Sequence, residues 1–435
     1  MFLDPILNSI SDLIKEKEVF LVGGYLRNYF LNNELSPDRD LVVLENSKDL
    51  ALKIAQELDG TFVELDNENE IYRVVLKDKI NYFDVSKALE NDILKDIQRR
   101  DFTINSIFYN LNKKEIFDPL GGLNDLKNKV LKTYSLDNFK DDPLRFLRLF
   151  RFYSKLNFKI DDELLNFTKE NFSLINNVAK ERINQEIIKI FEGEYVSETL
   201  LKMYDLGVLE IIFPFVSEIK KVPKNSHHHL DLIHHSIETV KNIQINKPLL
   251  KIAAFYHDIG KPSTWTIEPM GRHRFIGHDV KGAPIAKKEL ENLKFSNKQI
   301  TYITKMIRYH IYPASLINCP DNKKAFARFV KKLDKDTPDI IDLSRADRLS
   351  AQGEDVSKEM IDLSLAHLDN LLNYYNEVKN EIENFTFLLD GKEIMKHLNL
   401  KPSKKIGEIL DKLKEAQLSG EVKTKKEAYI FIEKF

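Results

Sequence analysis

Cysteine is nearly absent: Cys319 is the single one in 435 residues. One thiol cannot close a disulfide within the chain, so a reducing compartment, the cytoplasm, is the expected setting. Glycine is scarce at 15 residues beside 27 phenylalanines, which points to a mostly helical protein. No apolar run reaches the roughly 18 residues of a membrane span, so no membrane partner is expected. The opening MFLDPILNSISDLIKEKE lacks the basic start, apolar core and small-residue cleavage site of a secretory signal, and reads as an amphipathic helix. An excess of one charge is missing too. With 66 basic and 68 acidic residues the net charge is −2, so any contact with nucleic acid has to come from local basic patches. What remains is the composition of a soluble globular chain, long enough for about three domains.

The richest stretch is FLVGGYLRNYFLNNELSPDRDLVVL, Phe20 to Leu44. An apolar run leads into Gly23-Gly24, a helical pattern follows, and a second apolar run starts after Asp38-Arg39-Asp40, giving strand, turn, helix, strand. Two glycines let the backbone turn sharply and offer successive N–H groups to an anion, with Arg27 one helical turn on. Asp38 and Asp40, two apart on a strand, project from one face. Two hard oxygen ligands on a rigid edge suit Mg²⁺ carrying a nucleoside triphosphate. Either motif alone also fits an ordinary turn or a solvated loop; within seventeen residues they favour phosphoryl chemistry.

Helical periodicity runs from Lys48 to Leu58, with Gly60 as its C-terminal stop. Ile71 to Leu76 and Ile80 to Ser86 read as a hairpin on the same sheet, and Asp84 within it is either a third carboxylate for the site or one satisfied locally. Ala88 to Asp96 reads as a polar, mobile loop. QRRDFTINSIFYN reads as a helix with Asp101 and Asn105 on one face. A strand end at Phe117, a Pro-Gly-Gly turn and a short helix close this region, after which no strands are expected. In DDPLRFLRLFRFYSKL, Asp142 before Pro143 fits a helix N-cap, and Arg145 and Arg148 follow on nearly the same face. A carboxylate and a guanidinium there can pair the amino group and ring nitrogen shared by cytosine and adenine, while uracil and guanine present an oxygen instead. ERINQEIIKIFEG reads as a helix ending on glycine, SETLLKMYDLGVLEIIFP as one ending at Pro214, and Lys220 to Leu230 as a linker.

Seven of the eleven histidines lie between His227 and His273. His235 on a helix, His257-Asp258 at the end of an apolar helix, His310, and Asp347 on a further helix make a mixed nitrogen and oxygen set suited to a divalent transition metal, which would activate water on a phosphoester. The tract His227 to His229 reads as solvated linker.

Taken in order, GGYLRN, DRDLVV, RRDFTINS, DPLGGLNDL, DDPLRFLRLFRF and ERINQEI resemble the motifs of class II tRNA nucleotidyltransferases, the CCA-adding enzymes and poly(A) polymerases of the polymerase-β superfamily. The later histidines are similar to an HD phosphohydrolase domain. The resemblance implies an α+β chain: a polymerase-β-like head with a small mixed sheet (residues 1–135), then an all-α neck that recognises the base (136–225), an HD bundle (226–352) and a helical tail that binds tRNA (353–435). It implies Asp38 and Asp40 as catalytic Mg²⁺ ligands. Gly24, Arg27, Arg100, Asp101, Asn105, Asp142, Arg145 and Arg148 would bind the nucleotide, and His235, His257, Asp258 and Asp347 the HD metal, with His278 and His310 as further candidates. The implied reaction is template-free transfer of CMP and AMP from CTP and ATP to the tRNA 3′ end. A partial A-adding or CC-adding enzyme, a poly(A) polymerase, an HD hydrolase with an RNA-binding head, and a non-enzymatic RNA adaptor are the alternatives. The chain departs from the family pattern at Asn28, Asp141 and Ser106, where Asp, Glu and Ala are usual.

Overall fold

Strand β1 (Val19–Val22) is apolar at every position and buried at every position, as the middle of a covered sheet requires. The computed structural model describes residues 4–15, 17–223, 231–244, 246–268, 273–318, 323–351, 357–383, 386–418 and 420–435. The remaining strands around β1 are β2 (Asp38–Val43), β3 (Thr61–Asp66), β4 (Ile71–Val75), β5 (Tyr82–Lys87), β6 (Phe108–Asn110) and β7 (Glu115–Phe117). They form one seven-stranded mixed sheet ordered β3-β4-β5-β2-β1-β6-β7, in which only β2 and β5 run parallel. Asp38-Arg39-Asp40 opens β2 itself, so the alternation of the pleat separates the two carboxylates from Arg39.

The chain divides into two units, residues 1–195 with 205–208, and 196–204 with 209–435. In the first, helix α1 (Pro5–Ser9) is only five residues, shorter than the N-terminal pattern suggests. Helix α2 (Gly24–Asn32) packs on β1 and β2, and α3 (Ser47–Glu57) on β4 and β5. The stop after α3 is not glycine-driven: Asp59 takes the left-handed conformation at φ +49°. Gly60 is needed for closeness instead, since a Cβ there would lie 2.9 Å from Val74. The stretch read as a mobile loop holds α4 (Ile93–Gln98), capped by Asp92, whose carboxylate accepts from the N–H of Leu94. The stretch read as a helix around Arg100 is a bend, a single 3₁₀ turn at Thr103–Asn105, and then β6. Helix α5 (Gly122–Asn128) follows the Pro-Gly-Gly turn as expected.

Helices α6 (Asp137–Asp141), α7 (Leu144–Leu156), α8 (Asp162–Asn171) and α9 (Lys180–Glu192) complete this unit. Helix α7 buries Phe146, Leu147, Leu149 and Phe150, and packs on Ile183, Ile187 and Ile190 of α9. A ring contact from Phe102 to Phe152 ties α7 to the bend after Arg100, Phe102 also meets Phe139 of α6, and Phe146 of α7 meets Phe172. Asp142 does not cap α7. Pro143 occupies the cap position, no side chain closes the first turn, and the Asp142 carboxylate accepts from Arg182 at 3.1 Å. Strand pairing does not stop at β7 either, since two-residue ladders join Val130–Leu131 to Lys159–Ile160 and, in the second unit, Thr266–Ile267 to His273–Arg274.

The stretch ending at Pro214 is two helices, α10 (Val196–Asp205) and α11 (Leu209–Ile212), broken at Gly207, whose φ is +73°. After α12 (Phe215–Ile219) come α13 (Leu232–Lys241), α14 (Pro248–Tyr256), α15 (Lys261–Thr264), α16 (His278–Asn292), α17 (Asn297–Tyr309), α18 (Tyr312–Ser315), α19 (Lys323–Leu333), α20 (Thr337–Ser350) and α21 (Lys358–Glu383). Helix α14 is buried at every position from Leu250 to Tyr256, Lys251 included, and is wrapped by α13, α17 and α20. The tail helices α22 (Gly391–His397), α23 (Lys404–Leu418) and α24 (Lys425–Ile432) share a small core of their own around Ile394, Leu413 and Ile432. Cys319 and His227 to His229 lie outside the described residues, as does most of the expected linker.

Candidate active site

The turn between β1 and α2 is built on Gly23 rather than Gly24. Gly23 has φ +73°, and a Cβ on it would stand 2.9 Å from Asp40 Oδ2 and 3.7 Å from Arg100 Nη1. Gly24, the first residue of α2, has only Arg27 Nη2 at 3.6 Å in the same sense, so it is free of that steric demand. Backbone, Asp40 and Arg100 thus converge at one point.

Across the sheet Asp40 lies in register with Asp84 on β5, and Asp84 with Arg73 on β4. Arg73 holds Asp84 with two bonds of 2.7 Å, which leaves Asp38 and Asp40 as the pair without a fixed cation. Oxygens of all three carboxylates approach within 4.8 Å of one another, and Asp38 Oδ1 is buried without a hydrogen-bond partner. Burial and the neighbouring Asp38 push Asp40 up to about 7, against the opposing pull of Arg100; burial and Asp84 raise Asp38 as well. Like charges packed this closely, with an orphan oxygen among them, are the donor set of a hard divalent cation. Arg39 points the other way: buried, it donates from Nε to Asp4 at 3.0 Å and from Nη1 to Pro37 O and Asn81 Oδ1 at 2.9 Å each.

Arg100 is oriented by a residue that sequence reasoning missed. Asp96 on α4 is fully buried and accepts from Arg99 Nε at 2.8 Å and from Arg100 Nη2 at 3.1 Å. Its only sequence signal was a carboxylate one turn before two arginines, within a stretch taken for a loop. From there a chain of polar contacts runs toward α7. Arg27, 8% exposed, donates to Asn105 Oδ1 at 2.6 Å and to Asn28 Oδ1 at 2.9 Å; Asn105 Nδ2 donates to Asp101 at 2.8 Å; and Arg148 Nε donates to Asp101 at 2.8 Å. Burial alone would raise Asp101, yet Arg148 and the bonds from Asn105 and Arg148 hold it at about 2. Burial lowers Arg27 to about 10, with Arg151 and Arg148 adding to the fall. Asn28 keeps the acceptor that a carboxylate would supply there, without its charge. Ser106 places its hydroxyl on the carbonyls of Phe102 and Ile97.

Beside this chain opens a cavity of about 240 Å³ lined by Arg99, Arg100, Asp101, Asp142, Leu144, Arg145, Arg148 and Arg182. Arg99 and Arg182 join the expected residues here. Apart from its bond to Arg182, Asp142 presents a carboxylate to this space, and Arg145 reaches only the carbonyl of Arg100, at 3.4 Å.

In the second unit His235, His257, Asp258, Asp347, His278 and His310 meet. His235 Nε2 stands 3.0 Å from Asp347 Oδ1, His257 Nε2 3.3 Å from Asp258 Oδ2, and His278 Nε2 3.0 Å from His310 Nε2. Nδ1 of His257, His278 and His310 each meets a backbone carbonyl at 2.7–2.8 Å, which places the proton on Nδ1 and turns the Nε2 lone pairs inward. Two lone pairs 3.0 Å apart repel unless a cation lies between them. Burial and the neighbouring His278 and His257 push His310 down to about 3. Together the tautomers, the buried His257 Nε2 without a hydrogen-bond partner and the two carboxylates fit a divalent metal.

Family models match in the same order as the sites: the poly A polymerase head domain over residues 19–132, the probable RNA and SrmB-binding site of polymerase A over 157–220, and the HD domain over 226–352. The multifunctional CCA protein of Psychromonas ingrahamii is 30% identical over 298 residues, 65% of this chain and 71% of its own length. The chain belongs to the tRNA nucleotidyltransferase family. Relatives matched along more of this nucleotidyltransferase are the A-adding enzyme of Deinococcus radiodurans, 29% identical over 95% of both chains, and the CC-adding enzyme of Thermus thermophilus, 28% identical over 96% of this chain and 93% of its own. The fold is that of the Bacillus stearothermophilus CCA-adding enzyme solved with CTP, at a TM-score of 0.64 and 16% identity over 99% of this chain and 98% of that one. Nucleotidyltransferase and HD domains generally use divalent metals, in keeping with both clusters.

Proposed function

We propose that this chain completes the 3′ end of tRNA by adding CMP and AMP from CTP and ATP without a template. The observation that carries this reading is the pair Asp38 and Asp40, half-buried beside the Gly23 turn and Arg100, with a cavity lined by the Asp142 carboxylate and by Arg145 next to it. The terminal 3′ hydroxyl oxygen bonds to the α-phosphorus, the bond to the β-phosphate breaks, and pyrophosphate leaves. Mg²⁺ held by Asp38 and Asp40 would supply charge that eases formation of the attacking alkoxide and departure of pyrophosphate. Gly24, at the start of α2, offers backbone N–H groups to the phosphates, with Arg27 close by. Arg100 neutralises phosphate charge near the ribose. Asp142 accepts from the base amino group and Arg145 donates to the adjoining ring nitrogen, which admits C and A. Arg148, clamped on Asp101, supports Arg145 from behind, and Asn105 joins Asp101 to Arg27.

Four regions follow from these roles: head 1–135, neck 136–225, HD bundle 226–352 and a tRNA-binding tail 353–435, acting in the cytoplasm. His235, His257, Asp258 and Asp347, extended by His278 and His310, would hold a divalent transition metal for hydrolysis of a phosphoester. A second reading, a partial enzyme adding only CC or only A, is favoured by the relatives that match along about 95% of the chain. The test is single-nucleotide incorporation on tRNA transcripts ending before CCA, after C and after CC, each with CTP, ATP or both. Completion from the bare end is expected. Arrest after CC, or activity on the CC end alone, selects the partial enzyme, and no incorporation on any transcript overturns both.

A further inference from the structure

Three guanidiniums of the first unit gather on one aromatic ring. Phe152 of α7 is 4% exposed, and its ring centre lies 4.6 Å from the guanidinium carbon of Arg151, 5.0 Å from that of Arg27 and 5.9 Å from that of Arg148. All three are within cation–π range. We propose that Phe152 is a positioning residue for nucleotide binding: its ring holds Arg27 in place of a counter-ion and leaves that charge free for a triphosphate. The inference deepens the transferase reading of the head site and rests on it.

The three cations are not equally provided for. Arg148 is paired with Asp101, its Nε at 2.8 Å, and Arg151 with Glu186, its Nη1 at 3.0 Å. Arg27, from α2, makes no ion pair among the described residues. Its side-chain hydrogen bonds go to the neutral amides of Asn105 and Asn28, and its Nε is buried without a hydrogen-bond partner. Three cations against two carboxylates leave one positive charge over, and it lies on the arginine beside the Gly23 turn. Burial and the repulsion of Arg151 and Arg148 disfavour that charge, against the pull of Asp101.

A buried guanidinium needs compensation, and the negative face of a ring supplies some of it. A carboxylate would supply more, but it would compete with an incoming phosphate for the same N–H groups, which a ring face does not. The ring is itself fixed. Phe102 packs on it in a T-shaped contact, centroids 5.3 Å apart, and Arg148, one turn earlier on α7, shares its helix face.

The experiment replaces Phe152 in the full chain with mono-, di- and trifluorinated phenylalanine, which keep the shape of the ring while withdrawing electron density from its face. Calorimetric titration with CTP and Ca²⁺ reads binding, and incorporation on tRNA transcripts with Mg²⁺ reads turnover. Kd for CTP should rise stepwise with the number of fluorines, by roughly 3–30-fold across the series, while the melting temperature stays level. Asn28→Asp, which offers Arg27 a carboxylate, should flatten that dependence. A Kd that is constant along the series, or that changes only in step with the melting temperature, reduces Phe152 to packing and overturns the proposal. An equally steep series in the Asn28→Asp background overturns the counter-ion role. A chain that binds CTP with the fluorine dependence but extends no transcript would sink the transferase reading and leave the role of Phe152 standing.

Discussion

Gly23 carries two constraints at one residue, a backbone conformation closed to other residues and the approach of Asp40. Gly23→Ala should therefore cost about 1–3 kcal/mol of stability and also displace the Asp40 carboxylate, so transfer should fall further than the melting shift explains. Steady-state kinetics beside a melting curve separate the two. Asp96→Asn tests the residue that orients Arg99 and Arg100. It removes the charge from two charge-assisted bonds, each worth about 1.5–3 kcal/mol, so kcat/KM for CTP should drop roughly 10–100-fold. tRNA binding, measured by filter retention, should hold, whereas a fall in both would mark Asp96 as merely structural. Asp142→Ala should relax discrimination against UTP and GTP in competition assays, and unchanged selectivity would remove Asp142 from base recognition. At this scale the sequence was legible where chemistry and spacing coincide, as in Asp38 with Asp40 and in the histidine set. It was blind where a side chain acts on another side chain far along the chain, as Arg182 does on Asp142 forty residues away.

Elements explain which expectations failed. The stretch around Arg100 has helical spacing, and Asp101 and Asn105 do bond to each other, yet the backbone bends there because Phe102 turns into the aromatic cluster with Phe139 and Phe152. Tertiary packing overrode periodicity while preserving the contact that periodicity suggested. α4 was taken for a loop because six residues are too few to show a helical period; Asp92 as its cap and a buried Ile97 are enough to hold it. Helices with long apolar faces, α7, α9 and α14, were legible because burial alone sets them. Where α9 ends, a Cβ on Gly193 would fall 1.8 Å from Ser154 Oγ, so Gly193→Ala should cost about 1–3 kcal/mol through overpacking, read as a lower melting temperature. Between α14 and α16, Tyr256 donates to Glu289 at 3.2 Å, and burial raises Glu289 to about 7. A carboxyl with a raised folded pKa costs nothing below its unfolded value near 4.5, and the cost grows as pH rises toward 7 and then levels off. Glu289→Gln should therefore leave stability unchanged at pH 4 and raise it at pH 8, by up to about 3 kcal/mol. A melting series across pH checks the sign.

Among the described residues two clusters of side chains could hold a metal ion, each within its own unit. Thermal shifts should separate them. At a hundredfold excess over Kd, a bound ion adds about 2.7 kcal/mol, or roughly 5–10 °C for a unit of this size. Asp40→Ala should abolish the shift given by Mg²⁺ and keep that given by Mn²⁺ at the histidine cluster, and His257→Ala should do the reverse. One contact links the first turn of the chain to the head site. Asp4, the cap of α1, is the buried counter-ion of Arg39, and Arg39 sits between the two carboxylates on the reverse of the same strand. Loss of Asp4 would strand a buried guanidinium behind β2 and loosen the strand that carries both acids. An intact Asp4, remote in sequence from β2, thereby becomes a condition for the shape of that strand, and a molecule cut beyond it would lose that shape with Asp38 and Asp40 still in place.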